Sequence, residues 1–401
     1  MVSPFLDRQH GTERCVIEQI AHLGRDPHWT IAVYSQKVSD IDGIVPAAEQ
    51  PADSSAAIVW HRVSQIPGPH LLNYLWWFGA NHWRRWRDSR RRDFRNDLVY
   101  TPGINCFDAD VIVVHIVFHA FYDRVRSELA LLRNSPWSWP RLLHRRLYYK
   151  LIMFLEKRIY RNANTRLIAV SNLVVQQLKH YFQRDDVTVI PNAVDTARFN
   201  PEARQSRRTA SRAKLGFVDT DFVVLLIGND WKKKGLDTLL QAAAHLRDLP
   251  LKGLIVGDDD PGLYTASINA LCLERQVQFV PTSSDVLQFY AASDLYAGPS
   301  LEDSFGLPII EAMACGQPVI VSSAAGASEM VHDGSSGFIL QDPQDHLQLA
   351  SLIRRICTDQ NLRTAIGVAA SRYVLEHCTW QKNAERTKEF LERTLTRRCR
   401  N

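Results

Sequence analysis

Short aliphatic runs and amphipathic runs take turns along almost the whole chain, and few folds accommodate that alternation. Phe222 to Ile227, Leu254 to Val256, Val277 to Val280, Leu295 to Ala297 and Val319 to Val321 read as buried strands. Between them Leu236 to Leu246, Leu263 to Glu274, Val286 to Ala292 and Ile309 to Ala314 read as helices. The first half repeats the pattern, with Thr30 to Tyr34, Ala57 to Trp60, Val111 to His115, Leu167 to Val170 and Val187 to Ile190 as strands. Val2 to Phe5 looks like the end of an opening strand whose usual beginning would lie upstream of Met1. Strands apolar on both faces, each followed by a helix, predict an α/β fold of doubly wound parallel sheets with helices on both faces. At 401 residues the chain is long enough for two such domains.

Composition narrows the class. With 45% hydrophobic and 23% charged residues the chain has the make-up of a globular protein. Its longest apolar run, Val111 to Tyr122, contains two histidines and falls short of the ~20 residues of a membrane span. Residues 1 to 14 hold charges and no apolar h-region, so a cleavable leader is not expected. The 7 cysteines are scattered and form no C-x-x-C pair, which argues against a zinc site or a disulfide framework and for a reducing cytoplasm. The net charge is +5, and the positive excess lies in residues 1–195.

The densest chemical signal is Pro299 to Gly316. Leu295-Tyr296-Ala297 closes at Gly298-Pro299 as a parallel strand would. Ser304 is a candidate cap, Pro308 suits a first helical turn and Gly316 a C′ position. A helix starting near Phe305 to Leu307 would offer its first N–H groups and its positive dipole end to a phosphate. Asp303 before it and Glu311 about one turn inside would flank that site and accept hydrogen bonds from sugar hydroxyls. A nucleotide diphosphate sugar carries both kinds of group. For a lone D-x7-E spacing, a helix packed on a sheet with a solvated acidic loop would be the plainer reading.

This stretch resembles the signature of the family 4 retaining glycosyltransferases of GT-B fold: an acidic residue, a small residue, Phe-Gly-Leu, and a Glu that runs into Glu-Ala-Met-Ala-Cys-Gly. Asp303 replaces the more usual first Glu. The resemblance implies two Rossmann-like domains facing a central cleft. The N-terminal, acceptor-binding domain is expected over 1–195. A linker follows over 196–214, which is polar, basic and without apolar periodicity. The nucleotide-sugar domain is expected over 215–378, and a helix crossing back to the first domain over 379–401. It further implies Glu311 on the ribose, the Phe305, Gly306 and Leu307 backbone with Lys234 on the diphosphate, and Asp303 near the sugar.

Weaker motifs gain from the same resemblance. In Gly228 to Gly235, Lys234 falls on the family's lysine, while Asn229 stands where a diphosphate-binding arginine is common and is expected at the donor in its place. His10-Gly11-Thr12-Glu13-Arg14 is similar to the family's Gly-Gly-x-Glu-Arg loop, so Gly11 is expected to approach the donor, with His10 in place of the first glycine. By itself that segment is a turn with Thr12 as a fair cap. Asp110 to His115 has the spacing that places a histidine at the cleft, so His115 is assigned to the sugar, with His119 as runner-up. Ser171 and Pro191 to Asp195 match blocks expected to end strands and shape the hinge. Gly257-Asp258-Asp259-Asp260 could hold a hard cation. The family stabilises the leaving diphosphate without a required metal, so no essential metal and no cofactor beyond the donor are expected.

Two basic stretches also carry large apolar residues. Tyr74 to Arg95 combines tryptophans with seven arginines over residues 84–95, and Arg141 to Arg161 interleaves leucines with Lys and Arg. Either is a core helix with a solvated face, or a surface for an anionic membrane where a lipid-linked or glycan acceptor would be met. The enzyme would then be cytoplasmic and peripheral at the inner membrane face. Rival readings are a nucleotide-sugar 2-epimerase of the same fold and a non-enzymatic basic binding module. No helix-turn-helix or stacking platform points to nucleic acid, and no G-x-G-x-x-G follows a strand, as an NAD-dependent oxidoreductase would need.

Overall fold

A computed structural model describes residues 1–7, 11–39, 44–46, 58–90, 97–126 and 139–398. His10 and the arginines of residues 91–95 lie outside the described residues. The chain forms two compact units, residues 1–190 with 383–401, and residues 191–382.

Unit 1 contains β1 (Phe5–Leu6), α1 (Gly11–Leu23), β2 (Ile31–Ser35), β3 (Lys37–Val38), β4 (Ile44–Pro46), β5 (Ile58–Arg62) and α2 (His70–Ser89). It continues with β6 (Tyr100–Pro102), β7 (Val111–Val114), α3 (Phe118–Val125), α4 (Trp139–Tyr160), β8 (Arg166–Ala169), α5 (Asn172–Phe182) and β9 (Val187–Val189). All its ladders are parallel, in the orders β2-β5-β4, β1-β3 and β6-β7-β8-β9. Residues 1–3 join two of these ladders. The Tyr34 amide donates to the Met1 carbonyl at 2.9 Å, Ser3 N–H donates to the Tyr34 carbonyl at 3.1 Å, and Val2 N–H donates to the Tyr100 carbonyl at 2.9 Å. α1 begins at Gly11, so Thr12 sits inside the helix and not at its cap. Its apolar positions Val16, Ile17 and Ile20 close over Leu6, Val33 and Ile58.

Unit 2 opens with α6 (Pro201–Leu215), β10 (Phe222–Ile227), α7 (Leu236–Ala244), β11 (Leu251–Val256), α8 (Thr265–Ala270) and β12 (Val277–Val280). Then come α9 (Leu287–Ala292), β13 (Leu295–Gly298), α10 (Leu307–Ala314), β14 (Val319–Ser322), β15 (Phe338–Leu340), α11 (His346–Thr358) and α12 (Gln360–His377). The six strands are parallel in the order β12-β11-β10-β13-β14-β15. This is the doubly wound order whose connections reverse direction between the first and fourth strands, here β10 and β13. Phe222, Val224 and Leu226 face one side core with Leu239, Leu240 and Leu349. Val223 and Leu225 are also wholly buried, which is why β10 reads as an unbroken apolar run. The helix expected over Leu263 to Glu274 is shorter. A 3-10 turn over Pro261–Tyr264 leads into α8, and the chain leaves the helical region at Cys272 with φ 51°.

The stretch 196–214, expected as a linker, is mostly helix. Asn200 caps α6 by accepting from Ala203 N–H at 2.7 Å, Pro201 opens it, and Gly216 ends it at φ 78°. Three of the four arginines of α6 pack inward, and Arg207 stays exposed. Arg204 donates to the Tyr290 and Ser293 carbonyls at 3.1 and 2.7 Å, and Arg208 to Asp294 at 2.6 Å. Arg212, 2% exposed, donates to the carbonyls of Ala292, Val218 and Asp221. Spaced four apart, the three line one face and satisfy the carbonyls at the end of α9, where the helix dipole favours cations. The units divide instead at Ile190/Pro191 and at Lys382/Asn383. The last helix, α13 (Trp380–Arg398), begins in unit 2 and for the rest belongs to unit 1. There Asn383 and Thr387 each accept from Gln19 at 3.0 Å, and Lys388 pairs with Asp26.

Candidate functional site

The C-terminal ends of β10 and β13 lie side by side, so the loops that follow them meet. After β10 the chain turns through Gly228 (φ 139°), Asn229, Asp230 (φ 60°) and Lys232 to Lys234, and enters α7 at Gly235 (φ 79°). Asp259, after β11, accepts from the amides of Asp230 and Trp231 at 3.0 and 2.6 Å. Asn229 Oδ1 accepts from Asp258 N–H at 3.0 Å. Asn229 therefore ties two loops together. Gly235 has no room for a side chain, since a Cβ there would lie 1.9 Å from the Pro299 carbonyl oxygen. The close approach brings the loops into register, and Leu301 N–H donates to the Lys233 carbonyl at 2.8 Å.

The loop after β13 is held on its other side too. Asp303 N–H donates to the Ala324 carbonyl, Gly326 N–H to the Asp303 carbonyl, and Ala327 N–H to the Phe305 carbonyl, at 3.0, 2.9 and 2.6 Å. With its backbone pinned, the Asp303 carboxylate accepts from Phe305 N–H at 3.3 Å through Oδ1 and pairs with Lys234 through Oδ2. The Lys234 and Asp303 side chains are 18% and 17% exposed, so the pair is anchored yet open to a ligand. Gly228 makes room for the lysine stem, because a Cβ on it would stand 2.9 Å from Lys234 Cε.

Ser304 does not cap the helix. Gly306 takes the N-cap position at φ 93°, with Pro308 in the first turn, and the helix ends at Gly316 with φ 66°. A Cβ on Gly306 would meet Ile309 Cδ1 at 2.9 Å and Asp303 Oδ2 at 3.2 Å. The first N–H groups of a helix have no intrahelical acceptor and Pro308 has no N–H, so the amides of Gly306 and Leu307 are the donors this end can present. Glu311, 3% exposed, lies one turn further, and its Oε2 accepts from Tyr290 Oη at 2.7 Å. Burial and the adjacent Glu311 carboxylate hold the Tyr290 phenol well above its usual pKa. Tyr296 on β13 is likewise raised, by burial and then by Asp303 and Glu311. Neither tyrosine stands out in the sequence. The available signal is a phenol inside the wholly buried run Leu287–Ala292, where a hydroxyl needs a partner.

The three aspartates after β11 are occupied by their own loops. Asp258 accepts from Thr282 N–H and Oγ1 at 3.1 and 2.5 Å, which lowers its pKa, Asp259 holds the β10 turn, and Asp260 accepts from Gly262 N–H at 2.8 Å. Among the described residues no group of three or more His, Cys, Asp or Glu is arranged to hold a metal ion.

Gly11 and His115 belong to unit 1, Gly11 at the start of α1 and His115 just past β7. Burial pushes the His115 imidazole down to about 4, and its Nε2 has no hydrogen-bond partner among the described residues. His119, the runner-up, has a structural role. The wholly buried Glu156 of α4 accepts from the amides of Phe118 and His119 at 2.7 and 3.0 Å and pairs with His119 Nδ1 at 2.7 Å. That carboxylate thereby serves the start of α3. Ser171 caps α5 by accepting from Val174 N–H at 3.3 Å. Lys234, Asp303, Phe305, Gly306, Leu307 and Glu311 thus share one edge of unit 2 with Asn229.

Known proteins share both sequence and fold with the chain. The family described as Glycosyltransferase Family 4 matches residues 10–198, and that described as Glycosyl transferases group 1 matches residues 207–373. A D-inositol 3-phosphate glycosyltransferase of Salinispora arenicola is 31% identical over 236 residues, covering 54% of this chain and 52% of that protein. The chain therefore spans about half the length of the curated relatives it matches. Among solved structures, WaaG, a glycosyltransferase involved in lipopolysaccharide biosynthesis, superposes with TM-score 0.71 at 19% identity, over 97% of this chain and 98% of that one. Anabaena Alr3699/HepE in complex with UDP-glucose superposes with TM-score 0.67 at 21% identity, over 98% and 99%. At these identities the likeness is one of fold: GT-B.

Proposed function

The chain belongs to the group 1 glycosyl transferases of glycosyltransferase family 4, and from that premise we propose that it is a retaining hexosyltransferase. It moves a hexosyl group from a nucleotide diphosphate sugar to a hydroxyl of a glycan or lipid-linked acceptor. One observation carries this reading: the Lys234–Asp303 pair, the α10 N-terminus and Glu311 converge at the strand ends where the order of unit 2 reverses. Crevices at that position are where doubly wound sheets bind nucleotides.

In this reading the Gly306 and Leu307 amides and the α10 dipole take the diphosphate. Lys234 is a point charge with three donors, so it can keep Asp303 and still reach a phosphate oxygen. Glu311, oriented by Tyr290, accepts from the ribose hydroxyls, and Asp303 from a hydroxyl of the sugar. Asn229 stays with Asp258 and supports the donor site through the loop. Gly11 is assigned to the donor and His115 to the sugar on the likeness of their motifs to those of the family.

As the bond from C1 to the diphosphate breaks, the acceptor oxygen bonds to C1 from the same face, and its proton passes to the departing phosphate oxygen. Charge builds on the diphosphate, where the amides and Lys234 stabilise it in place of a metal. The engagement of Asp258, Asp259 and Asp260 within their loops supports a metal-free site. The described cysteines are free thiols, which supports a cytoplasmic setting, and we place the enzyme at the inner face of an anionic membrane.

Calorimetric titration of UDP-, GDP- and ADP-sugars, followed by NMR of the product anomer, tests the proposal. One donor should bind and be transferred with its anomeric configuration kept, at a rate unchanged by chelator. Inversion at C1, epimerisation of the donor alone, or loss of rate restored by magnesium would each refute the corresponding part.

A further inference from the structure

Helix α2 leaves a long apolar stripe in the open. Leu72, Leu75, Trp76, Trp83 and Trp86 are 54%, 47%, 43%, 58% and 50% exposed. With exposed Gly79 and Arg90 they recur three and four residues apart, so they form a single face along a helix about 30 Å long. The opposite side carries the anchors, buried Trp77 and Asn81. Trp76 is fixed by its Nε1–H, which donates to the Ser64 carbonyl at 3.0 Å, so its ring is held in place on this face. Between the stripe and the end of β5 runs a groove of about 580 Å3 lined by Val63, Leu75, Trp76, Gly79 and Trp83, with Arg62 and Arg84 among its walls.

The charges on this helix have one sign where they face out. The guanidinium of Arg87 lies 5.0 Å from the Trp83 ring centroid and that of Arg90 3.9 Å from that of Trp86. The only carboxylate of α2, Asp88, is 13% exposed and lies among Tyr34 Oη at 3.3 Å, His61 Nδ1 at 3.1 Å and the Nε atoms of Arg84 and Arg87 at 3.2 and 3.8 Å, so it adds little negative charge to the outer face. A second copy of the chain on this face would set arginine against arginine. A partner must instead offer hydrocarbon to Leu and Trp and negative charge to the guanidiniums beside them, and an anionic lipid surface does both.

We propose that the outward face of α2 is the surface by which this protein docks on an anionic lipid bilayer. Trp83 and Trp86 enter the headgroup boundary, and Arg62, Arg87 and Arg90 meet the lipid phosphates. The inference rests on the reading that transfer takes place at a membrane, and it adds which face of the protein turns to it.

The test is co-sedimentation of the full chain with vesicles of phosphatidylcholine containing about one-third phosphatidylglycerol. Wild type should bind these and bind pure phosphatidylcholine far less. Trp83→Ser/Trp86→Ser should lower the apparent vesicle affinity about tenfold or more, with unfolding temperature and nucleoside diphosphate binding unchanged. Equal binding by that variant overturns the proposal, as does loss only in Leu143→Ser/Leu147→Ser on α4. Tighter binding to a single-stranded oligonucleotide, or a dimer that the tryptophan variant abolishes, overturns it as well. Donor turnover without any vesicle binding defeats this surface and leaves the enzymatic reading intact. Vesicle binding lost in the tryptophan variant of a chain that turns over no donor does the reverse.

Discussion

Tyr290 and Glu311, on two different helices of unit 2, share a buried hydrogen bond of 2.7 Å from phenol to carboxylate. The bond fixes which way Glu311 points. In Tyr290→Phe the carboxylate keeps its charge and loses that hold. Its donor KM should rise about tenfold, the order expected for a lost hydrogen bond to a charged group, with kcat changed less. Glu311→Ala should abolish transfer while leaving the fold. Equal KM in Tyr290→Phe and wild type would remove the tyrosine from the donor site.

Lys234 pairs with Asp303 across a sequence separation of 69 residues. Lys234→Ala removes both the pair and the proposed cation on the diphosphate, and transfer should fall by about two to three orders of magnitude. Lys234→Arg should recover little, because a planar fork does not replace a compact ammonium at this tight turn. Single-turnover assays at saturating donor measure the loss, and wild-type rates in Lys234→Ala would reject the role.

Gly235 tests the architecture of the site. A Cβ there would collide with the Pro299 carbonyl, and at φ 79° any other residue is also strained. Gly235→Ala should therefore cost about 3 kcal/mol or more, read from urea unfolding, and should weaken donor binding by separating the loops.

Arg212 is the most buried member of the α6 triad. Arg212→Ala leaves the carbonyls of Ala292, Val218 and Asp221 short of a donor while Arg208 keeps Asp294, so unfolding free energy should drop by about 3 kcal/mol. Activity per folded molecule should be unchanged, because none of these contacts reaches the proposed donor site.

His115 links stability to pH. Burial lowers its pKa from 6.5 to about 4, so between those values the unfolded chain binds the extra proton. Its contribution is complete above about pH 6.5 and is lost as pH falls toward 4. Urea midpoints should fall more steeply from pH 7 to pH 4.5 in wild type than in His115→Gln. Parallel slopes would contradict a neutral buried imidazole.

The sequence alone determined what depends on neighbours along the chain. Apolar periodicity marked β10, β13 and α10. Gly316 marked a C′ position where φ is positive, and Pro308 marked a first helical turn, because these are properties of a residue and the few beside it. What needs a distant partner was hidden. The run of arginines after Pro201 looks like a solvated linker until Tyr290 to Asp294 arrive beneath it. Ser304 looks like a cap until the loop is pinned by Ala324 and Gly326. That Asn229 Oδ1 holds the Asp258 amide could not be read from the motif either. Only the strand order, by setting β13 beside β10, brought Lys234 to Asp303 and Tyr290 to Glu311. A buried charge or hydroxyl is stable only with a partner, and packing, not local sequence, chooses that partner.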